Sequence, residues 1–241
     1  MDLKGKTALV TGASSGIGRA VSIAIGSQGA SVGLLARSED ELEETKKQVE
    51  DAGGSAAVIP TDVTEPEQVR EGVEQTAATL GGIHIVANIA GLGIFKNLED
   101  MSVDEWDKHI DVMLRGAFLV TKYSLPHIYE QERGHVLAVT SMWAKRFCAK
   151  CTGYTGAKFG VRGLMQSLRE EARPHNVKVT NIMPGTVDTP FFDKANWDAN
   201  LKCALYPKDV ADTIVFALQL PDRAVIEELS LQAIQPDSCT V

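Results

Sequence analysis

The chain has 241 residues, of which 44% are hydrophobic and 23% are charged, a composition typical of a soluble globular protein. Its formal net charge of −8 argues against binding to nucleic acid or to an anionic membrane surface, because phosphates repel an acidic protein. No stretch has the roughly 18 consecutive apolar residues of a membrane-spanning helix, and no apolar signal region precedes the first strand-like segment. We therefore expect a cytoplasmic protein that binds neither nucleic acid nor membranes.

Short apolar runs alternate with helix-length amphipathic segments along the chain. Most of the runs are near-continuous, as in parallel strands that are buried on both faces. We predict strands at 7–12, 31–36, 56–60, 83–91, 135–141, 177–185 and 224–231. We predict helices at 17–28, 39–52, 66–80, 103–130, 155–173 and 208–219. This order indicates an α/β fold: a Rossmann-type, doubly wound parallel seven-stranded sheet with helices on both faces, in a single domain over residues 1–241.

A glycine-rich turn, TGASSGIG at 11–18, follows the first strand and opens the first helix. Gly12 permits a tight turn, Gly16 lets the backbone approach a diphosphate, and Gly18 allows the helix to pack closely on the sheet. The helix N-terminus adds free N–H groups and a positive partial charge. The turn therefore predicts a dinucleotide site. Its other predicted contacts are Ser14, Ser15 and Ile17.

The end of the second strand indicates which dinucleotide binds. A cofactor with a free ribose 2′-hydroxyl favours an acidic side chain there, but this strand ends with Ala36 followed by Arg37. A guanidinium can bind a 2′-phosphate through two charge-assisted hydrogen bonds, and the Ser38 hydroxyl can add another. We predict NADP(H) rather than NAD(H).

Six motifs, in this order and spacing, resemble those of the classical short-chain dehydrogenase/reductase family. They are TGASSGIG (11–18), DVT (62–64), NIAG (88–91), Ser141, YTGAK (154–158) and PGTVDT (184–189). The resemblance extends from residue 5 to about residue 230. It implies an NADP(H)-dependent oxidoreductase that interconverts a small or medium carbonyl compound and its alcohol by hydride transfer.

The resemblance assigns catalysis to Ser141, Tyr154 and Lys158. Tyr154 and Lys158 lie four residues apart, on one face of a predicted helix. A free tyrosine has a pKa of about 10, and a nearby ammonium favours its phenolate. By resemblance, Tyr154 exchanges a proton with the substrate oxygen, and Lys158 also bonds the nicotinamide ribose. Ser141 orients the substrate oxygen and stabilises its developing charge.

The resemblance also implies further cofactor contacts, each directly after a predicted strand, where ligands bind in such sheets. The adenine is expected against Asp62 and Val63. The adenine ribose region is expected near Asn88, Ala90 and Gly91. The residues expected to flank the nicotinamide carboxamide are Pro184, Gly185, Val187 and Thr189.

Cys148 and Cys151 form a CxxC, a spacing used by metal sites and by thiol redox centres. A zinc site would need two more ligands, and no second CxxC or HxxxH supplies them. A thioredoxin-like CxxC opens a helix directly after a strand in a smaller fold. We interpret the two cysteines as incidental thiols of one loop and expect no metal site.

Two positions depart from the family pattern. Ile89 replaces the second asparagine of the usual NNAG, and Met113 stands where the family usually has asparagine. That asparagine holds a water of a proton relay through its backbone carbonyl, and its side chain supports a bend in the long helix. Because both replacements are apolar, we expect Ile89 and Met113 to pack together as a compensating pair. An altered relay or a slower enzyme is the alternative.

The segment 190–206 lies where the family carries its substrate lid. It contains Phe191, Phe192 and Trp197, while Met142 and Trp143 follow the catalytic serine. These side chains predict a substrate with apolar parts, although aromatic loop residues can also pack between subunits.

Two alternative functions remain open. The first is a 3-oxoacyl-[acyl-carrier-protein] reductase, although the C-terminal segment lacks the glycines usual in that subclass, and an acidic surface suits an acidic carrier poorly. The second is a dinucleotide-binding sensor or scaffold without turnover, which would need no proton donor. By resemblance, the helices at 103–130 and 155–173 pair across subunits in a homodimer or homotetramer.

Overall fold

The computed structural model describes residues 1–195, 197 and 201–234. Part of the predicted lid, at 196 and 198–200, and the C-terminal residues 235–241 lie outside the described residues. Within the described ranges, no helix is both long enough and apolar enough to cross a membrane.

Seven strands form one sheet in which every neighbouring pair is parallel. The strands are β1 (Thr7–Thr11), β2 (Ser31–Ala36), β3 (Ser55–Pro60), β4 (Ile85–Asn88), β5 (Gly134–Val139), β6 (Val177–Pro184) and β7 (Glu228–Leu231). Their order is β3-β2-β1-β4-β5-β6-β7, so the direction of winding reverses between β1 and β4. The crevice at such a reversal, beyond the carboxyl ends of the strands, is the expected ligand site.

Helices cover both faces of the sheet. They are α1 (Gly16–Gly26), α2 (Glu39–Asp51), α3 (Pro66–Leu80), α4 (Val103–His109), α5 (Gly116–Tyr129), α6 (Thr152–Ala172), α7 (Phe191–Lys194) and α8 (Pro207–Gln219). One hydrophobic cluster joins the sheet to α1, α2 and α8, and a second joins it to α3, α5 and α6. The predicted doubly wound parallel sheet is therefore confirmed.

The predicted helix at 103–130 contains an irregularity that its sequence does not reveal. Between α4 and α5, residues Ile110–Arg115 form a π-helix, a wider turn that accommodates an extra residue. Such segments are frequent at functional sites, and this one carries Met113. The irregularity therefore falls at the position where the resemblance implies an asparagine that supports a bend, and methionine stands there in this chain.

Two predicted strands, the fourth and the seventh, are about half as long in the structure as in the sequence pattern. The fourth was predicted at 83–91, but β4 ends at Asn88, and the seventh was predicted at 224–231, but β7 begins at Glu228. After β4 the chain leaves the sheet because the Thr11 hydroxyl accepts hydrogen bonds from the backbone N–H groups of Ile89 (2.9 Å) and Ala90 (3.1 Å). These bonds join the glycine-rich turn to the loop after β4.

Candidate active site

A cleft of about 920 Å³ opens at the carboxyl ends of the strands. It brings together residues that are distant in sequence, from the glycine-rich turn to the segment after β6. The predicted site residues that line it are Gly12, Ser14, Ser15, Gly16, Ile17, Gly18, Arg37, Ser38, Asp62, Val63, Ala90, Gly91, Ser141, Tyr154, Lys158, Pro184, Gly185, Val187 and Thr189. Asn88 is the exception, because its side chain lies beneath the cleft, where its amide donates to the Thr121 hydroxyl at 3.0 Å.

The glycine-rich turn is shaped so that only glycine fits at its key positions. Gly12 and Gly16 have positive φ values of 67° and 53°, in the left-handed region that favours glycine. A Cβ at Gly12 would lie 3.0 Å from the Cα of Ala90, and a Cβ at Gly18 would collide with the carbonyl oxygen of Gly12. The backbone N–H groups at the start of α1 can therefore approach a ligand closely, as a diphosphate requires.

The region after β2 has the composition expected for a 2′-phosphate. Ala36 ends the strand, and the exposed Arg37 and the half-buried Ser38 line the cleft. Among the described residues, no acidic side chain forms an ion pair with Arg37, so its guanidinium is available to an anion. The carboxylate of Glu41, in α2, also lines this part of the cleft.

Ser141 and Tyr154 meet at the centre of the cleft. The Ser141 hydroxyl oxygen accepts a hydrogen bond from the backbone N–H of Trp143 at 3.1 Å, which leaves the hydroxyl proton free to be donated. Burial raises the pKa of the Tyr154 phenol to about 12, and its hydrogen bond with Ser141 opposes this shift. Tyr154 is only 8% exposed and is therefore held as a neutral phenol, which can donate a proton.

Lys158 lies one helical turn after Tyr154 on α6 and is 5% exposed. Its Nζ donates a hydrogen bond to the carbonyl oxygen of Val139 at 3.0 Å and lies 5.6 Å from the centre of the Tyr154 ring. Burial lowers the pKa of this ammonium to about 8. Near neutral pH Lys158 remains largely protonated, and its charge favours the phenolate form of Tyr154.

A small cavity of about 10 Å³ lies behind Lys158, close to the volume that one water molecule needs. Lys158 lines both this cavity and the large cleft. Met113 and Asn88 line it as well, and the Oδ1 of Asn88 has no hydrogen-bond partner among the described residues. Polar groups able to bind a water thus lie beside Lys158, although Met113 supplies no side-chain amide.

The expectation that Ile89 and Met113 pack against each other is wrong. Ile89 packs against the hydrophobic cluster formed with α1, α2 and α8. Met113, which is 2% exposed, belongs to a separate cluster with Tyr154 and Ala157. The two replacements were expected to meet because both are apolar, but β4 and the π-helix direct them to different clusters.

Aromatic side chains line the substrate end of the cleft, including those of Trp143, Tyr154 and Phe191. Phe95, which was not predicted from the sequence, packs against these three. The Phe95 ring lies 5.7 Å from the rings of both Tyr154 and Trp143, 6.2 Å from Phe191 and 4.7 Å from Trp197. These separations are typical of favourable aromatic pairs. A phenylalanine soon after the NIAG motif was the available signal. Its neighbours give the reactive end of the cleft apolar walls.

A buried histidine holds the loop that carries Phe95. The His109 Nε2 accepts a hydrogen bond from the backbone N–H of Ile94 at 3.1 Å, and its Nδ1 donates to the carbonyl oxygen of Glu105 at 2.7 Å. Burial lowers the pKa of His109, so the ring remains neutral and able to accept. His109 was not predicted as a site residue, because nothing in its sequence context distinguishes it from a core histidine.

The interpretation of Cys148 and Cys151 as incidental thiols needs correction. The two sulfur atoms form a disulfide bond, with a Cα–Cα distance of 5.8 Å, inside the usual range for such bonds. The spacing allowed this pairing, but the conformation of the loop that brings the two sulfurs together is not visible in the sequence. In the described ranges, no group of three or more His, Cys, Asp or Glu residues could hold a metal ion.

The residues present fit a nicotinamide dinucleotide. The glycine turn leaves no space for a Cβ where a diphosphate must approach the backbone. The cleft runs from Arg37 and Asp62, past Ala90, to Tyr154 and Thr189. Its length and its change from polar to aromatic walls suit a ligand with two nucleotide halves and an apolar substrate beside one of them.

Comparison with known proteins identifies the same class. A family model described as short chain dehydrogenase matches residues 6–200. An uncharacterized oxidoreductase of Staphylococcus aureus is 36% identical over 232 residues, which cover 96% of this chain and 99% of the relative.

Two solved structures share the whole fold. An alcohol dehydrogenase from the archaeon Thermococcus sibiricus, in complex with 5-hydroxy-NADP, is 32% identical with a TM-score of 0.88, over 95% of this chain and 97% of that one. A 3-ketoacyl-(acyl-carrier-protein) reductase from Brucella melitensis, in complex with NADH, is 26% identical with a TM-score of 0.88. The match covers 97% of this chain and 99% of that one. The chain belongs to the short-chain dehydrogenase family and is an oxidoreductase.

Proposed function

We propose that the chain is an NADP(H)-dependent oxidoreductase that interconverts a small or medium carbonyl compound and its alcohol. The observation that carries this proposal is the convergence of Ser141, Tyr154 and Lys158 on one cleft, beside the glycine turn. A neutral phenol, a hydroxyl with its proton free and a buried ammonium are the groups that protonation of a carbonyl oxygen needs.

Each catalytic residue has a separate task. The nicotinamide, when bound, supplies the hydride to the carbonyl carbon or accepts it from the alcohol. Tyr154 donates its phenolic proton to the carbonyl oxygen, or removes the proton from the alcohol in reverse. Ser141 donates a hydrogen bond to the same oxygen and stabilises its developing negative charge. Lys158 favours the phenolate that remains on Tyr154, and the polar cavity behind it offers a route for replacing the proton.

Preference for NADP(H) over NAD(H) is part of the proposal. It rests on Arg37 at the end of β2, on the lack of an acid at Ala36, and on the complex of the Thermococcus sibiricus enzyme with an NADP derivative. The Brucella melitensis reductase was solved with NADH, which makes a direct comparison of the two cofactors necessary.

The second candidate is reduction of a 3-oxoacyl group carried on a protein. The similar fold of the Brucella melitensis reductase supports it. The net charge of −8 weighs against it, because an acidic carrier would be repelled. The aromatic cluster around Phe95 favours compact substrates with an apolar part.

A homodimer or homotetramer is also part of the proposal. On the outer surface, Phe118 of α5 is 44% exposed and Phe159 of α6 is 39% exposed. Aromatic side chains of this size on two helices that pack against the same hydrophobic cluster support a self-complementary contact between subunits.

The test is a panel of carbonyl compounds with NADPH and NADH, followed by loss of absorbance of the reduced cofactor. The panel includes aryl ketones, short aliphatic ketones and a 3-oxoacyl thioester. We expect turnover of aryl or medium aliphatic ketones with NADPH. Binding of NADPH without turnover of any member would contradict the enzymatic proposal and favour the sensor, and turnover of the thioester alone would favour the second candidate.

A further inference from the structure

We propose that Cys148 and Cys151 are a redox-active pair at the mouth of the substrate cleft, and that their disulfide holds the loop 145–151 against the substrate wall. This thiol chemistry goes beyond the oxidoreductase function proposed above and does not rest on it. The pair contributes to no hydride or proton transfer. It is a site for thiol–disulfide exchange with a small dithiol or with glutathione.

The two sulfurs differ in accessibility. Cys148 is exposed and lines the cleft, whereas Cys151 is fully buried and is the N-cap residue of α6. An external thiolate can therefore reach the sulfur of Cys148 but not that of Cys151. The leaving sulfur would be that of Cys151, at the positive end of a 21-residue helix. The helix N-terminus favours the departing thiolate, whereas burial and the Ala149 carbonyl oxygen 3.3 Å from the Cys151 sulfur oppose it, so the accessibility of Cys148 determines which sulfur leaves.

The exchange balances without a metal. A dithiol reductant attacks as its thiolate, forms a bond to the Cys148 sulfur and breaks the bond to Cys151, which leaves as a thiolate. The second thiol of the reductant then displaces Cys148 from the mixed disulfide. In total the protein disulfide gains two electrons and two protons and becomes two thiols, while the reductant becomes a cyclic disulfide.

The disulfide is connected to the active site through the backbone. Between the two cysteines, Lys150 has a φ of 65°, a left-handed conformation that is unfavourable for a non-glycine residue. The carbonyl oxygen of Lys150 accepts a hydrogen bond from the backbone N–H of Lys96 at 2.9 Å. Lys96 directly follows Phe95, whose ring contacts Tyr154 and Trp143.

Opening the disulfide removes the covalent closure around Lys150. The residue can then leave its left-handed conformation, and the hydrogen bond to Lys96 is lost with it. Phe95, which packs against the cleft-lining Tyr154 and Trp143, loses this support, so we expect a higher KM for the carbonyl substrate. NADPH affinity should be unchanged, because within the described residues no hydrogen bond joins this loop to the glycine turn or to Arg37.

The test follows thiol state and loop mobility independently of turnover. The protein is equilibrated in glutathione buffers of graded redox ratio, alkylated with iodoacetamide and digested with an arginine-specific protease, and the mass of the 147–162 peptide, which contains both cysteines, is measured. In parallel, native trypsin digestion of the air-oxidised protein is compared with that of the C148S/C151S variant and the single C148S variant. We expect a reversible loss of two alkylated thiols as the buffer becomes more oxidising, and several-fold faster cleavage after Arg146 and Lys150 in both variants.

The C203S variant is the matched control, because it removes a thiol but keeps the pair, and it should retain the redox response of the wild type. The proposal is overturned if the pair is never oxidised in glutathione buffers, or if cleavage after Lys150 is equally fast in the oxidised wild type and in C148S. If no compound of the carbonyl panel is turned over, the alkylation and trypsin measurements still test this proposal. Where turnover is found, a several-fold rise in KM on reduction that is absent in C148S/C151S gives a third, independent confirmation.

Discussion

The phenol of Tyr154 is stabilised in its protonated form, because burial raises its pKa to about 12. Carbonyl reduction needs this protonated form, whereas alcohol oxidation needs the phenolate. We therefore predict that, as pH rises through the alkaline range, kcat/KM for reduction falls and kcat/KM for oxidation rises. Deprotonation of Lys158, whose pKa is about 8, removes a charge that favours the phenolate. Both the fall in reduction and the rise in oxidation are therefore shifted to still higher pH.

The measurement is the pH profile of kcat/KM in both directions with one substrate pair. Profiles that coincide in the two directions would contradict the role of Tyr154 as the group that exchanges the proton.

Under the proposed preference for NADP(H), cofactor selectivity depends on Arg37. We predict that Arg37→Gln weakens NADPH binding by about 10- to 100-fold, because hydrogen bonds to a charged group contribute about 1.5–3 kcal/mol each. NADH has no 2′-phosphate, so its affinity should not change. Cofactor fluorescence titrations of the wild type and the variant test this. Equal losses for the two cofactors, or no loss for either, would show that the 2′-phosphate is not bound by Arg37.

At the scale of single residues, only part of the candidate site could be predicted from the sequence. Ser141, Tyr154, Lys158 and the glycine positions were proposed from the sequence because each chemical task there admits few residue types, and the fold brings them to one cleft. Phe95 and His109 could not, because an aromatic ring or a buried histidine becomes part of a site only through what the fold places beside it. The disulfide was missed for the same reason, since the conformation of its loop determines whether two cysteines bond.

The glycine-rich turn and α1 act as one element. The turn has glycines because it leaves no room for larger side chains at these positions. At Gly18 a Cβ would collide with the carbonyl of Gly12, so we predict that Gly18→Ala displaces the turn. NADPH binding should weaken by about tenfold or more, equivalent to about 1.4 kcal/mol.

The matched control is Gly163→Ala in α6, where a Cβ would have nothing within 4 Å. Gly163 lies one turn after Phe159, on the surface proposed for the subunit contact, so this variant serves as a control for NADPH binding, and it should bind NADPH as the wild type does. Thermal unfolding and cofactor titration of both variants provide the measurement. Wild-type affinity in the Gly18→Ala variant would contradict the assigned role of the turn.

Among the elements, long periodic segments were predicted well and local irregularities were not. α2 and α3 have the expected bounds to within a residue, because amphipathic periodicity and glycines after the helix define them. The π-helix at Ile110–Arg115 has no such signal, since one additional residue per turn changes the period too little to see in a short segment. The start of α6 at Thr152, rather than 155, follows from the disulfide loop that precedes it.

The molecule as a whole contains a buried titratable group that links its stability to pH. His135 in β5 is fully buried, and its Nε2 lies 2.7 Å from the Thr180 hydroxyl oxygen, while that hydroxyl donates to the carbonyl of Ile226. The Nε2 must therefore carry the proton, and Nδ1 has no partner among the described residues. Burial, together with the positive charges of Lys178 and the Met1 amino group, lowers the pKa of His135 to about 3.

The sign of the effect follows from proton uptake. Below about pH 6.5 the unfolded chain protonates this histidine, whereas the folded chain does so only near pH 3. The free energy of unfolding should therefore fall as pH is lowered through this window, by about 1.4 kcal/mol per pH unit from this group. Urea unfolding of the wild type and of His135→Gln across this window tests the prediction. Equal slopes in the two proteins would contradict it.

The overall fold was the part most completely predictable from the sequence. Seven apolar runs separated by helices define a doubly wound sheet, and the reversal of strand order between β1 and β4 locates the cleft. The substrate remains the least predictable feature, because the walls around Phe95 come from four separate segments whose mutual positions are set only by the folded chain.

The central claim is that Tyr154 exchanges the proton, and Tyr154→Phe tests it most directly. With a ketone that the wild type reduces, we predict that kcat falls at least about 100-fold, because general acid catalysis contributes about 10²- to 10⁴-fold. NADPH should still bind, since the glycine turn and Arg37 are unchanged. Tyr123→Phe, which removes a phenolic hydroxyl on α5, should retain wild-type turnover. A Tyr154→Phe variant that reduces the ketone at the wild-type rate would contradict the account.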